Sequence, residues 1–467
     1  MAEPAQPAPP RHLGAGAALS VIGNVGPVAA AGALSIVLAR TIGPSANGTY
    51  ALVLTLVNVA VLVFSFGLTA GITYEVSRRT WPVRRAARET YVAAVVLGVG
   101  GIAAGLGFYE ITKHSALRAV ELHLAVIALA ALPTFLAWQF ASSILIARDR
   151  YEGYATLQLT SSAVLFAAAL ALAIPFGLTG AVIGLTASGA ITAAVGAWLL
   201  RRAVRSGIDE GSTQDRKRPL EHLRRAFPFG FQAWIGNVLQ QANYRLDLLI
   251  LGAYVAAGEV GKYSVAVTIT NLAWILPQGL QMVVFPRTAR LDADAEAGVV
   301  TSAESDAAVA RATRHSVLLM LPAGLAVCLL LAVVPLVYGR QFDETVWLGL
   351  LLLPGVLTLG TGKVVSAVVA GRGKPRYMMY SGMIGAAVTV TMYFVLIPAF
   401  GEWGGAIASS ISYTFSTVVV VAFFRRVTDV SLRRALVPTR ADIADYRESI
   451  GQLRAHLRAR RLGREAV

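Results

Sequence analysis

Residues 154–176 read YATLQLTSSAVLFAAALALAIPF and residues 179–200 read TGAVIGLTASGAITAAVGAWLL, with only Gly177 and Leu178 between them. No charged side chain occurs in either stretch. As a helix each would be about 33 Å long at about 1.5 Å per residue, enough to cross a hydrocarbon layer of about 30 Å. Backbone groups in lipid must be bonded within their own segment, so such stretches are helices. A β-barrel would instead alternate apolar and polar residues in segments of about 10. Residues 154–200 therefore predict two membrane helices joined by a tight turn.

The rest of the chain repeats this theme. Of 467 residues, 56% are hydrophobic and 14% charged, with mean hydropathy +0.62. Soluble domains are about 45–50% apolar and about 25% charged, so a water-soluble enzyme and a disordered chain are both excluded. Twelve spans are expected: 14–39, 48–74, 90–109, 120–146, 154–176, 179–200, 227–254, 263–285, 315–338, 345–370, 377–399 and 403–424. The first could pass for a signal peptide, but it is long and eleven more follow, so it is read as a retained helix. The Pro-rich residues 1–13 read as a disordered cytoplasmic N-terminus.

The net charge of +15 follows the loops. With the N-terminus in the cytoplasm, 34 of the 41 Lys and Arg fall on the inside and five (Arg40, Lys113, Arg118, Lys262 and Arg340) on the outside; Arg245 and Lys363 remain within spans. This is the positive-inside asymmetry, and a single missed helix would scramble it. The basic surplus thus points to topology and to the anionic inner leaflet, not to nucleic acid. Both termini are expected in the cytoplasm.

The polar stretch 201–226 divides the chain into a six-helix lobe at 14–200 and another at 227–424, followed by a basic tail at 425–467. The halves resemble each other. Gly48-Thr49-Tyr50 with Thr55 and Asn58 matches Gly261-Lys262-Tyr263 with Thr268 and Asn271 at a constant offset of 213. Ile174-Pro175, Phe176-Gly177 and Gly180 match Ile397-Pro398, Phe400-Gly401 and Gly404. With an even number of helices per half the repeats are parallel, an arrangement that transporters place around a central path.

Polar residues concentrate in helices one, two, seven and eight. On the seventh, Asn237, Gln241 and Arg245 form one stripe, and Gln240, Asn243 and Asp247 a neighbouring one. Asn24, Asn58, Asn271, Gln278 and Lys363 add to them. A charge at the bilayer centre costs at least about 2.5–3.5 kcal/mol, so these side chains are expected to face a wet cleft between the lobes. Asn58 and Asn271 could equally bond across packed helices, Arg245 could pair with Asp247 or snorkel outward, and Lys363 could snorkel inward. The Gly67/Gly71, Gly101/Gly105 and Gly180/Gly184 pairs predict close helix packing.

No catalytic constellation is visible. There is no G-x-x-x-x-G-K-[ST] loop, the six histidines lack metal-ligand spacing, and Cys328 stands alone in an apolar run. No cofactor or metal is expected. Energy should come from a proton or sodium gradient, the membrane potential, or the substrate's own gradient. In the tail, Thr439 and Asp442 form a capping box before Ile443, Tyr446, Ile450, Leu453 and Leu457, with arginines opposite. This reads as a cationic amphipathic helix on the inner membrane surface or as a helix packed on a lobe.

Several motifs resemble those of Wzx-type polysaccharide flippases: Ala39-Arg40-Thr41-Ile42-Gly43-Pro44 with Gly48-x-Tyr50, Asn243-Tyr244-Arg245-Leu246-Asp247, Gly258 to Tyr263, Val337 to Phe342, and Ile397-Pro398 with Gly404-Gly405-Ala406. The resemblance covers about 14–424. It implies an all-α, MATE-like fold of the multidrug/oligosaccharidyl-lipid/polysaccharide superfamily. It also implies that the protein moves a polyprenyl-pyrophosphate-linked oligosaccharide to the outer leaflet of a bacterial inner membrane, alongside polysaccharide polymerase and export machinery. Arg245 and Lys363 would then meet the phosphates, and the Asn and Gln stripes the sugars. A cation-coupled multidrug exporter, a lipid II flippase and a non-transporting scaffold for glycan assembly remain alternatives.

Overall fold

The computed structural model describes residues 13–77, 81–148, 150–206, 220–296, 298–439 and 442. For residues 13–31 and for several positions of the later helices the description stops at the backbone. The described chain contains helices and turns and no strand. The helices are α1 (Leu13–Phe64), α2 (Leu68–Ser77), α3 (Val83–Thr112), α4 (Leu122–Leu129), α5 (Leu132–Ala147), α6 (Tyr151–Arg205) and α7 (Glu221–Tyr254). They continue as α8 (Ala257–Asn271), α9 (Ile275–Glu296), α10 (Ser302–Tyr338), α11 (Asp343–Gly371), α12 (Pro375–Val427) and α13 (Leu432–Leu436). Each of the twelve expected spans falls largely on helix.

Three helices are too long for one crossing. The 55 residues of α6 would extend about 80 Å if straight. They reverse instead at Gly177, whose φ and ψ are 58° and −137°. A Cβ on Gly184 would lie 2.5 Å from Cα of Ala169, so the two arms pack face to face. In α12 the same break occurs at Gly401, with φ 58° and ψ −135°. The two residues belong to the repeat motif around Pro175 and Pro398, and their near-identical backbone angles show that the motif encodes the same turn twice. Only glycine adopts this region without a steric cost. In α1 the break is at Gly43, and the Ser35 hydroxyl reaches Oδ1 of Asn47 across it at 3.4 Å.

Among the described residues, seven helical stretches are long and apolar enough to cross a membrane. Neither α7 nor the pair α8–α9 is among them; α7 carries many polar residues, and α8–α9 is interrupted by a 3-10 turn at Leu272–Trp274. The burial pattern is that of a membrane protein. On α3 the small residues Ala93, Ala94, Gly98, Gly101 and Gly105 are inside, while Val92, Val95, Val96 and Val99 face out. On α10, Leu321, Leu325 and Leu329 form an exposed row at i, i+4, i+8. A soluble protein would turn these stripes inward; in lipid, small residues mediate close helix contact and large apolar ones meet the acyl chains.

Two more expected helices are broken. The span at 48–74 is interrupted at Ser65–Gly67, where Phe66 takes φ 43° and Gly67 φ 68°. The indole Nε1 of Trp234 donates to the freed Leu62 carbonyl at 2.8 Å. The span at 120–146 is interrupted at Ala130–Ala131, just before Pro133.

By contacts the chain forms two compact units, which follow packing rather than the repeat boundary. Unit 1 takes Met1–Thr268, Ala332–Gly349 and Val390–Ala408; unit 2 takes Ile269–Leu331, Leu350–Thr389 and Ser409–Val467. Unit 2 has an aliphatic core that includes Val284, Val309, Val364, Val368 and Phe424. In unit 1 the close contacts expected of the glycine pairs are present. A Cβ on Gly67 would meet the Gly230 carbonyl at 2.0 Å, and one on Gly71 the Ala226 carbonyl at 2.3 Å.

Candidate functional site

The most developed polar arrangement within the membrane part of unit 2 centres on Lys363 of α11. Its Nζ lies 4.6 Å from the ring centroid of Trp274, in the 3-10 turn that interrupts the eighth span. Trp274 is itself fixed: Nε1 donates to the Val356 carbonyl at 2.9 Å, and the ring packs on Tyr413 at 5.7 Å. A cation over an indole face is stabilised by about 0.5–2 kcal/mol, rising with desolvation. Lys363 is thereby held half-buried on a rigid aromatic floor rather than extended toward the helix end. Asn271, half-buried, ends α8 just before this turn, and Gln278, exposed, follows it on α9. The structure therefore brings Asn271, Gln278 and Lys363 to the neighbourhood of one helix break. Trp274 was not among the expected site residues; its position at a polar helix's interruption, three residues before Pro277, is the signal that marks it.

Asn58 is half-buried on α1 in unit 1. Asn24 lies on α1, and Asn237, Gln240, Gln241, Asn243 and Arg245 lie on α7; their side chains are outside the described residues.

Asp247 differs from the cleft-facing role expected of it. It is 1% exposed, and its Oδ2 accepts from the Tyr263 hydroxyl at 2.9 Å while Oδ1 accepts from the Leu248 amide at 2.7 Å. Tyr263 is fully buried. A buried carboxylate with such partners fastens α7 to α8, and unpairing it would be costly. It therefore sits in the packed interior of unit 1.

Three of the five cations expected in outer loops turn out to be ties at one end of unit 1. The Arg40 guanidinium donates to the carbonyls of Val337 and Leu336 at the end of α10, and the Gln341 amide donates to the Ala39 carbonyl at 3.2 Å. Arg118 donates to the Val255 carbonyl, which follows α7, at 2.5 Å. Arginines at helix C-termini meet unsatisfied carbonyls and the negative end of the helix dipole. Lys262 bridges Glu344 at 2.7 Å and Glu259 at 3.2 Å. The carboxylates of Glu259, Glu344 and Glu402 approach within 4.8 Å of one another. Burial, and then the charges of Glu259 and Glu344, push the Glu402 carboxyl up. Lys262 is raised: burial opposes its charge, but the two carboxylates more than compensate.

Between these ties the repeat motif packs on its own copy. A Cβ on Gly48 would meet the Ala257 carbonyl at 1.7 Å and the Gly261 amide at 2.7 Å; one on Gly261 would meet the Pro44 carbonyl at 2.2 Å. At the far end of unit 2, Arg314 holds the start of the tail. Its Nε and Nη2 donate to the two oxygens of buried Asp442 at 2.6 and 3.0 Å, and Nη1 donates to the Arg434 carbonyl at 2.8 Å. The Thr439 amide and hydroxyl also donate to Asp442, at 2.8 and 2.6 Å, one half of the expected capping box. The amphipathic pattern beyond it lies outside the described residues.

Comparison with known proteins agrees with this architecture. The chain is similar to a solved lipid II flippase, MurJ, in an inward closed conformation, with a TM-score of 0.69 and 11% identity over 88% of this chain and 89% of that one. It is also similar to a multidrug resistance MATE family transporter of the MOP superfamily in its inward-facing form, with a TM-score of 0.59 and 17% identity over 85% and 94%. At these identities the likeness is one of fold. Among curated proteins it matches the probable low-salt glycan biosynthesis flippase Agl15 of Haloferax volcanii at 19% identity over 214 residues, 46% of this chain. The match spans 44% of that relative's length. Residues 37–347 match the polysaccharide biosynthesis protein family. The protein is thus a multi-pass, all-helical membrane protein with the MOP-superfamily fold, and it belongs to the polysaccharide biosynthesis protein family.

Proposed function

We propose that this protein flips a polyprenyl-pyrophosphate-linked oligosaccharide from the cytoplasmic to the outer leaflet of a bacterial plasma membrane by alternating access, for cell-surface polysaccharide synthesis. The observation that carries this reading is the family match over 37–347, joined by a relative named as a glycan biosynthesis flippase. The chemistry is consistent with it. An anionic pyrophosphate within a membrane path calls for a positioned cation, and Lys363 over Trp274 is such a group. In this reading Lys363 and Arg245 meet the phosphates, Asn58, Asn271, Gln278 and the amides of α7 meet sugar hydroxyls, and the prenyl chain stays in the bilayer. The protein itself performs no bond-making step. In this reading both termini, and the basic tail, lie on the cytoplasmic side, which the charge distribution of the loops supports.

The test is transport by the purified protein in proteoliposomes. A fluorescent polyprenyl-pyrophosphate oligosaccharide should become accessible to a glycosidase on the opposite face, at a rate above that of empty vesicles. Preference for lipid II, or export of organic cations with no movement of the glycolipid, would replace this reading with one of its alternatives. No transport of any of them would favour a scaffold.

A further inference from the structure

Unit 2 contains a cavity of about 670 Å³ between α9 and the first half of α10. Its composition changes along its length. Leu280, Val284, His315 and Leu319 line it toward the membrane part, Arg287, Arg311 and Ala312 lie about midway along it, and Leu291 and Glu304 line the part nearer the turn. Counted from the turn joining the two helices, Arg287 and Arg311 are at matching heights, and Leu280 and Leu319 lie about 11 Å deeper. Both arginines are exposed and fall just beyond the apolar parts of their spans, the depth at which lipid head groups lie.

Two other arginines of this region are already paired. Arg372 is bonded to Asp292 of α9 at 2.9 Å and Asp306 of α10 at 2.6 Å. Arg314 is bonded to Asp442. Glu304, which lines the end nearer the turn, is engaged by the Thr301 amide at 2.9 Å and hydroxyl at 2.8 Å, which together lower its pKa. Among the described residues, Arg287 and Arg311 have neither a hydrogen bond nor an ion pair. Two unneutralised guanidinium groups lining one cavity repel each other. A phosphate between them would offer bidentate acceptors to both. His315, half-buried, lies deeper along the same wall.

From this combination we infer that the cavity is a binding site for an anionic phospholipid of the surrounding leaflet. The phosphate is held between Arg287 and Arg311, and an acyl chain runs inward along Leu280, Val284, Ala312 and Leu319. Basic pockets between membrane helices bind anionic head groups in this way. The volume falls within the range of built ligand sites, about 300–1,000 Å³. The inference requires only that the chain lies in a membrane and does not depend on what it transports.

The experiment measures thermal stabilisation and lipid retention of the full-length protein in detergent. Phosphatidylglycerol should raise the melting temperature in a saturable way, while phosphatidylcholine should not. Arg287→Gln with Arg311→Gln should weaken the apparent affinity by about 30-fold, about fivefold per arginine. Arg425→Gln with Arg426→Gln, which removes an equal charge at the end of α12, should leave it within about twofold. Ala312→Phe, which keeps both cations but fills the cavity beside Arg311, should weaken the response at least as much as the Arg287/Arg311 double variant does. An unchanged response in the Arg287/Arg311 double variant overturns the proposal, as does an equal effect of phosphatidylcholine. Stabilisation by inorganic phosphate alone overturns the assignment to a lipid.

Discussion

Gly48 and Gly261 occupy equivalent positions in the two halves of the chain and pack against each other: a Cβ on Gly48 would lie 2.7 Å from the Gly261 amide nitrogen. The residues that announce the internal duplication in the sequence are thus the ones that bring the two copies together. Backbone approach this close leaves no room for a side chain, and the obstructing atoms are main chain, which cannot rotate away. Gly48→Ala or Gly261→Ala should destabilise the protein by about 1–3 kcal/mol or more, the usual cost of forced overpacking. Melting temperatures in detergent check this, and a loss below about 0.5 kcal/mol would mean that the helices separate freely.

The arginine ties flank that crossing. Arg40 and Arg118 should hold this end of unit 1 shut, so Arg40→Ala with Arg118→Ala should loosen it without unfolding the protein. The reporter is a cysteine at Asn47, which is 3% exposed, on a Cys328→Ser background. Maleimide labelling should be several-fold faster in the double variant. Equal rates would show that the glycine packing closes this end unaided.

The Asp247–Tyr263 bond makes a distinct prediction about stability. Tyr263→Phe leaves a buried carboxylate short of a donor and should cost about 1–3 kcal/mol. Asp247→Asn retains an acceptor for the tyrosine and sheds the charge, so it should cost less. Thermal melts of the two variants, alongside the pair, decide it; the opposite order would indicate that the negative charge itself is needed.

Lys363 should matter for transport rather than folding. Lys363→Gln should lower glycolipid flipping at least about tenfold with little change in melting temperature. Lys363→Arg should recover part of the rate, since a guanidinium can also rest on the Trp274 ring. If Lys363→Gln transports at the full rate, the phosphate contact lies elsewhere.

The acid dependence of two carboxyls should run in opposite directions. Arg314 and Thr439 hold the Asp442 carboxyl well below the usual range against the opposing effect of burial. A depressed pKa contributes stability above the unfolded value of about 3.9 and loses it only as pH falls through the folded value. The tail's attachment should therefore survive at pH 4, and Asp442→Asn should release it at neutral pH. Limited proteolysis of the tail reads both. Glu402 is raised by burial, so its charge opposes the fold at neutral pH. Glu402→Gln should raise the melting temperature at pH 7–8, and the gain should vanish as pH drops through the Glu402 pKa.

The membrane spans, the duplication and the turns at Gly177 and Gly401 were legible because each is written in consecutive residues: apolar length, repeated motif, glycine after proline. The breaks at Ser65–Gly67 and Leu272–Trp274 were not. Hydropathy is blind to them, and the first relies on the indole of Trp234, 172 positions from the carbonyl it satisfies. Lys363 could be picked out as a charge in an apolar run, but its partner Trp274 comes from another helix. Asp247 was misread for the same reason. Its stripe on α7 suggested an open wall, while Tyr263, 16 positions on, closes over it. The arginines counted only as loop charges proved to be ties, since positive-inside arithmetic weighs a side chain's location and not its bonds.

The matching angles at Gly177 and Gly401 bear on how this fold has been inherited. The flanking side chains differ, Leu178 and Thr179 against Glu402 and Trp403, yet the corner is bent to the same specification. The bend recurs while its decoration differs. A chimera in which residues 172–184 are exchanged for 395–408 should accordingly insert and assemble, as one hinge can be fitted to either leaf of a door.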